Sequence, residues 1–257
     1  MSDLFSFSES KDLLPLAERS RPKDLSGLMG QGHLFNTKSP ILSLLNNGQL
    51  LNLILWGPPG TGKTAFARWL ADRIGIPLYT KRASDLISMW LGETEQNIAR
   101  AFKQATDDGA LLLIDEVDSF LQDRRNAQRS WEVSQVNELL IQMETFNGIF
   151  IASTNLMDSL DQAALRRFDL KVKFGFLKKD QAETLFLKHC EAAGFQEPGP
   201  VLRNRLRSMD RLTPGDFAAV LRQNRFKALH GPEAMLAALE AEASLKEGAK
   251  GTIGFIR

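Results

Sequence analysis

Apolar runs of strand length alternate with helical periodicities up to about residue 176, and helical periodicity alone follows. These two observations predict an α/β chain, with a parallel-sheet domain over residues 26–176 and a small α-helical domain over 177–257. A third identifies the kind of sheet: Gly57-Pro58-Pro59-Gly60-Thr61-Gly62-Lys63-Thr64 fully matches the phosphate-binding loop pattern GxxxxGK[ST]. It stands between a strand-like run, Leu51 to Trp56, and a helical one, Thr64 to Ala71. In such a loop the glycines let backbone N–H groups turn onto phosphate oxygens. Lys63, read as a surface charge that serves the ligand, reaches the outer phosphates, and the Thr64 hydroxyl completes the shell of a magnesium ion. By average usage the pattern arises by chance in roughly one chain per hundred of this length. The flanks make chance rarer still, so a nucleoside triphosphate is expected at the helix N-terminus.

Composition bounds the rest. With 257 residues, 43% of them hydrophobic, the chain can bury a sizeable core. No apolar run approaches membrane-spanning length, and the N-terminus lacks a basic-then-apolar signal pattern. A cytoplasmic protein with no membrane partner is expected. The single cysteine, Cys190, excludes an internal disulfide and a cysteine-held zinc. His33, His189 and His230 are scattered, and each is read as an ordinary surface or core histidine. A net charge of +1 argues against a chain devoted to gripping nucleic acid, while leaving room for a local basic patch.

Residues 1–25 are polar and mixed in charge, with serines at 2, 6, 8 and 10, and read as an N-terminal lead-in. Pro15 to Leu25 is followed by Leu28-Met29-Gly30-Gln31-Gly32-His33-Leu34. Joined to Ile54 through Thr64, these residues resemble the opening of the clamp-loader-like AAA+ ATPases of replication and recombination. The resemblance implies ATP as the nucleotide, with Leu28, Met29 and Gly30 against its adenine ring.

After the loop, Ile76 to Thr80 reads as a strand and Ala83 to Ser88 as a short helix. Thr94 is the expected N-cap of the next helix, whose Ile98, Ala101, Phe102 and Ala105 repeat at helical spacing and bury one face. Trp90 lies outside that stripe. From the residues alone it is either packed on its own domain or presented to something else. The block Met89 to Phe102, with Trp90-Leu91-Gly92-Glu93 as aromatic, aliphatic, Gly and Glu, resembles the first pore loop and following helix of the hexameric protein-remodelling AAA ATPases. The resemblance implies that Trp90 and Leu91 grip a protein substrate in the central pore of a homo-hexamer.

Asp107-Asp108-Gly109 breaks the chain, and Ala110 to Ile114 is a strand-length apolar run ending at Asp115-Glu116, a Walker B pattern. Asp115 at the carboxyl end of a buried strand can hold magnesium directly or through water, and Glu116 can polarise the attacking water. Gln122 to Arg129 is polar, with Arg124, Arg125 and Arg129, and reads as a solvated loop that the resemblance places near the second pore loop. Glu132 to Glu144 is a helix with Val133, Val136, Leu139, Leu140 and Met143 on one face, and Asn147-Gly148 turns the chain. Ile149 to Ser153 is a buried strand ending in Thr154-Asn155, where the family carries its sensor 1 residue. Asn155 can hold the attacking water or report on the γ-phosphate, although asparagine after a strand is also ordinary turn chemistry. Asp161 to Asp169 resembles the family's second region of homology, whose arginine reaches the neighbouring subunit's γ-phosphate. The family spaces its two arginines further apart, so the adjacent Arg166 and Arg167 are both candidates.

Leu170 to Phe174 is the last strand. Lys179 to Ala193 forms a helix with Ala182, Leu185, Phe186 and His189 at helical spacing, Asp216 begins another, and Pro232 a third with Met235, Leu236 and Leu239 inward. In the resemblance this is the α-helical lid. The sensor 2 arginine that many members carry is replaced by Ala218, which favours the protein-remodelling group. The expected function is an AAA+ ATPase that couples Mg-ATP hydrolysis at subunit interfaces to remodelling or threading of a protein. Two alternatives stay open. One is a DNA-associated clamp-loader-like helper, drawing on residues 15–34 and on Arg203, Arg205, Arg207, Arg211, Arg222, Arg225 and Lys227, whose other reading is a solvated helix face. The other is the motor module of a larger machine, although little sequence precedes residue 26 to form a separate recruiting domain.

Overall fold

The computed structural model describes residues 51–121 and 130–247, which divide into two compact units, one ending at Gly175 and the other beginning at Phe176. The lead-in, Met29, Gly30 and the Arg124 to Arg129 loop lie outside the described residues.

In the first unit β1 (Leu51–Trp56), β2 (Leu78–Arg82), β3 (Leu111–Asp115), β4 (Ile149–Thr154) and β5 (Leu170–Lys173) form one parallel sheet in the order β2-β3-β4-β1-β5. Between them run α1 (Lys63–Ile74), α2 (Ala83–Leu86), α3 (Glu93–Asp107), α4 (Ser130–Thr145) and α5 (Gln162–Leu165). The three inner strands β1, β3 and β4 are near-continuously apolar, as a sheet covered on both faces requires. Side chains alternate between those faces. Leu53, Leu55, Leu113 and Ile151 pack with Phe66, Ala67 and Leu70 of α1. Ile54, Leu112, Ile114 and Phe150 pack on the other side with Ile98 and Phe102 of α3 and Leu139 and Leu140 of α4. Phe102 anchors this second layer, with its ring 5.3 Å from that of Phe146 and 5.2 Å from that of Phe150.

Two local expectations need correction. β2 begins at Leu78 rather than Ile76, because the Ile76 N–H closes the end of α1 on the Ala71 carbonyl at 3.1 Å, beyond the left-handed Gly75. Thr94 is not the N-cap of α3. Gly92, left-handed at φ 82°, precedes the helix, and the buried Thr94 hydroxyl instead accepts the Ser88 N–H at 2.9 Å.

The second unit holds α6 (Lys179–Ala192), α7 (Pro200–Arg207), α8 (Pro214–Gln223) and α9 (Pro232–Glu247) around Phe186, Leu206, Phe217, Leu221, Leu236 and Leu239. α7 was not expected from sequence, although Pro200 at its first turn and the buried Leu202 and Leu206 mark it. α8 starts two residues before Asp216. That carboxylate receives the Thr213 N–H at 2.7 Å and the Lys246 ammonium at 2.6 Å. His189 is buried, with its ring 5.6 Å from that of Phe217. Burial, with a smaller push from Lys188, lowers its pKa to about 4. Burial, helped by Glu233, raises the Cys190 thiol to about 11, so it is an inert core residue.

Candidate active site

β1 delivers the chain into the phosphate-binding loop at Gly57. Its φ is 141°, and a Cβ there would stand 2.0 Å from the Phe174 carbonyl oxygen just past β5, so only glycine fits. Gly62, at φ 97°, turns the loop into α1, whose positive dipole end therefore faces an anion bound in the loop. The Thr61 hydroxyl is buried and donates to the Pro58 carbonyl at 2.8 Å. Lys63 is not the surface charge its role suggested. Its ammonium is buried and donates to the carbonyls of Gly57 at 2.7 Å and Pro58 at 3.0 Å, and to Asn155 Oδ1 at 2.9 Å. Burial lowers its pKa, against an upward pull from Asp115 and Asp118.

The ends of β3 and β4 complete the site. Asp115 continues the side of β3 that faces α1, which puts its Oδ2 3.0 Å from Thr64 Oγ1. A hydroxyl and a carboxylate oxygen side by side fit magnesium, which takes one or two protein oxygens and leaves its other positions to phosphate and water. Among the described residues no three His, Cys, Asp or Glu side chains gather into a metal cluster. Glu116 is the one described non-glycine residue with positive φ (60°). Holding a glutamate there costs about 1–3 kcal/mol, and such strain collects at functional sites. The turn leaves Glu116 exposed at the sheet edge. Asn155 is exposed just past β4, with its amide oxygen on Lys63. β1, β3 and β4 are parallel and β4 lies between the other two, so their carboxyl ends bring all of these groups to one edge, where open α/β sheets bind ligands.

Residues 53–176 match the ATPase family associated with various cellular activities (AAA). They are an AAA ATPase domain. The chain is 32% identical over 163 residues to vacuolar protein sorting-associated protein 4 of Dictyostelium discoideum, covering 61% of this chain and 36% of that one. It is 33% identical over 146 residues to the peroxisomal ATPase PEX6 of Kluyveromyces lactis, covering 53% and 15%. A third relative, the ATP-dependent zinc metalloprotease FtsH of Lactiplantibacillus plantarum, is 35% identical over 133 residues, covering 48% and 18%. The chain thus spans about a third or less of the length of these relatives.

Elsewhere on the AAA domain the two candidate arginines part company. Arg167 is half-buried, pairs with the Glu144 carboxylate at the end of α4, and donates to the Ala163 carbonyl at 3.3 Å. Arg166 is exposed and holds no side-chain partner among the described residues. Asp161 has a structural task that the sequence did not disclose. It caps α5 by accepting the N–H groups of Ala163 at 2.7 Å and Ala164 at 3.3 Å. Met89, Trp90 and Leu91 are 97%, 75% and 87% exposed, so Trp90 is not packed on its own domain. The base of this tip is braced. Ser88 donates to the Glu93 carboxylate and accepts the Trp90 N–H at 3.2 Å, and the Asn97 amide reaches the Leu86 carbonyl at 3.1 Å. Among the described residues no helix is long and apolar enough to cross a membrane.

Proposed function

We propose that the AAA domain hydrolyses Mg-ATP at interfaces between copies of the chain in a homo-hexamer, and uses turnover to draw a protein substrate through a central pore past Trp90 and Leu91. The observation that carries the remodelling half is the exposed Met89-Trp90-Leu91 tip on its braced base. An apolar triplet that its own domain leaves in water is suited to nonpolar contact with an unfolded chain. For hydrolysis, the support is the gathering of Lys63, Thr64, Asp115, Glu116 and Asn155 at one sheet edge. Lys63 turns from the loop carbonyls to the outer phosphates, and Thr64 and Asp115 would hold magnesium, which would supply charge neutralisation to the phosphates. Glu116 orients a water and accepts its proton as the water oxygen attacks the γ-phosphorus and the bond to the bridging oxygen breaks. Asn155 steadies that water. Arg166 of a neighbouring copy, with no side-chain partner among the described residues, neutralises the charge that spreads over the transferring group. A cytoplasmic setting goes with this reading.

The test is the ATPase rate with and without an unfolded protein or DNA, together with Glu116→Gln. That variant should bind ATP and lose turnover. Loss of binding and turnover together would mark Glu116 as structural instead. Stimulation by DNA alone would favour a clamp-loader-like helper. One observation supports that second reading: Arg203, Arg205 and Arg207 are ion-paired, whereas Arg222, Arg225 and Lys227 form no ion pair among the described residues and flank the 93%-exposed Phe226.

A further inference from the structure

β4 ends in two hydroxyl side chains that hydrolysis as described does not use. Ser153 and Thr154 are 0% and 1% exposed, and hydroxyls that deep need partners. Ser153 follows Ile149 and Ile151 on the α1 side of the sheet, where Asp115 also projects, and its Oγ donates to Asp115 Oδ1. The same oxygen accepts the Glu116 N–H at 3.1 Å, which leaves Oδ2 to face Thr64 Oγ1 at 3.0 Å. Thr154 ties three segments together. Its hydroxyl donates to Asp118 Oδ1 at 2.8 Å and accepts the Leu156 N–H at 2.9 Å, using its one proton and one lone pair. Its carbonyl accepts the Gly57 N–H at 3.3 Å, at the mouth of the phosphate-binding loop. Asn155 is thus held between two fixed residues, with its amide oxygen on Lys63.

We propose that Ser153 and Thr154 are positioning residues for the hydrolytic site. Ser153 selects which carboxylate oxygen of Asp115 is turned to the magnesium, and Thr154, locked to Asp118, sets the backbone at Asn155 so that its amide stays beside the outer phosphates. The proposal rests on the reading that Thr64 and Asp115 hold magnesium and that Asn155 attends the γ-phosphate. A carboxylate at a strand end rotates about its last bond unless donors occupy one oxygen, and ligand-orienting partners of this kind typically govern metal affinity by 10–100-fold. The Ser153 bond acts on metal binding, and the Thr154 bond on the chemical step.

The experiment measures binding of a fluorescent ATP analogue by the full chain as magnesium is titrated, beside kcat, KM and a thermal melt for each variant. Ser153→Ala should raise the magnesium concentration for half-maximal effect about 10-fold, with magnesium-free analogue affinity within about twofold of wild type. Thr154→Val should lower kcat about 10-fold with KM within about twofold, and Thr154→Ser, which keeps the hydroxyl, should restore it. If Thr154→Val does not fold, Asp118→Ala breaks the same bond from its half-buried side and must show the same loss of kcat. A wild-type magnesium profile in Ser153→Ala overturns the role of Ser153. Undiminished kcat without the Thr154–Asp118 bond, or no rescue by Thr154→Ser, overturns that of Thr154. Magnesium-independent turnover by the wild type would instead overturn the metal reading itself, and the proposal with it.

Discussion

Lys63→Ala removes an ammonium that belongs to the loop's own architecture as well as to its ligand. Only 8% of Lys63 is exposed, and it donates to Gly57 O, Pro58 O and Asn155 Oδ1 at 2.7–3.0 Å. A hydrogen bond from a charged group contributes about 1.5–3 kcal/mol. The three do not add, because water reaches the freed acceptors and the wild type carries a cation that burial disfavours, so the net loss is about 2 kcal/mol. At about 2–4 °C per kcal/mol, the melting temperature should fall by roughly 4–8 °C. The second effect separates ligand from scaffold. ATP at a hundred times its Kd stabilises a folded domain by about 2.7 kcal/mol, a further rise of roughly 5–10 °C in the wild type and none in the variant. Melts with and without ATP, beside an ATPase assay, read both effects. An unchanged melting temperature would refute the structural role of the ammonium, and an intact ATP-induced rise would refute the site.

Trp90→Ala should cost under about 1 kcal/mol, against the roughly 3–5 kcal/mol of a core tryptophan, and should keep ATP binding while losing stimulation by unfolded protein. Undiminished stimulation would remove the pore reading. Arg166→Ala should leave the thermal melt unchanged and lower ATPase activity, whereas Arg167→Ala should cost roughly 0.5–1 kcal/mol through its half-exposed pair with Glu144. Mixing Arg166→Ala chains with Lys63→Ala chains should restore activity. A mixture no more active than its parts would exclude an arginine working between copies. For His189, the folded pKa of about 4 lies below the ordinary 6.5, so its contribution is whole above pH 6.5 and is lost as pH falls towards 4. Unfolding of the helical unit in denaturant should show about 2 kcal/mol less stability at pH 5 than at pH 7. His189→Gln should flatten that slope, and an equally steep variant would show that other groups set it.

The phosphate-binding loop, the acidic pair after a buried strand and the apolar runs of β1, β3 and β4 were legible in the sequence because each depends on neighbours in the chain. Glycines at fixed offsets, a carboxylate closing an apolar run and helical spacing from Ile98 to Ala105 are local requirements that a linear reading sees whole. Two expectations slipped where a competing bond intervened: Ile76 serves the end of α1, and Thr94 serves Ser88 rather than its helix, whereas α8 starts early at Pro214, a residue suited to a first helical turn. The tertiary structure alone decided what each strand residue faces. The alternation within Leu111 to Asp115 is visible in sequence, but which half meets α1 follows from strand order and crossover, and that places Asp115 beside Thr64, 51 positions away. The same holds for Ser153 on Asp115, Asn155 on Lys63, and Glu144 on Arg167, which separates two adjacent arginines that sequence left equal. Trp90 likewise carried two readings until the folded domain left it in water. Spacing along a chain fixes which groups are available, whereas the burial and pairing of each group depend on segments that meet only once the sheet has closed.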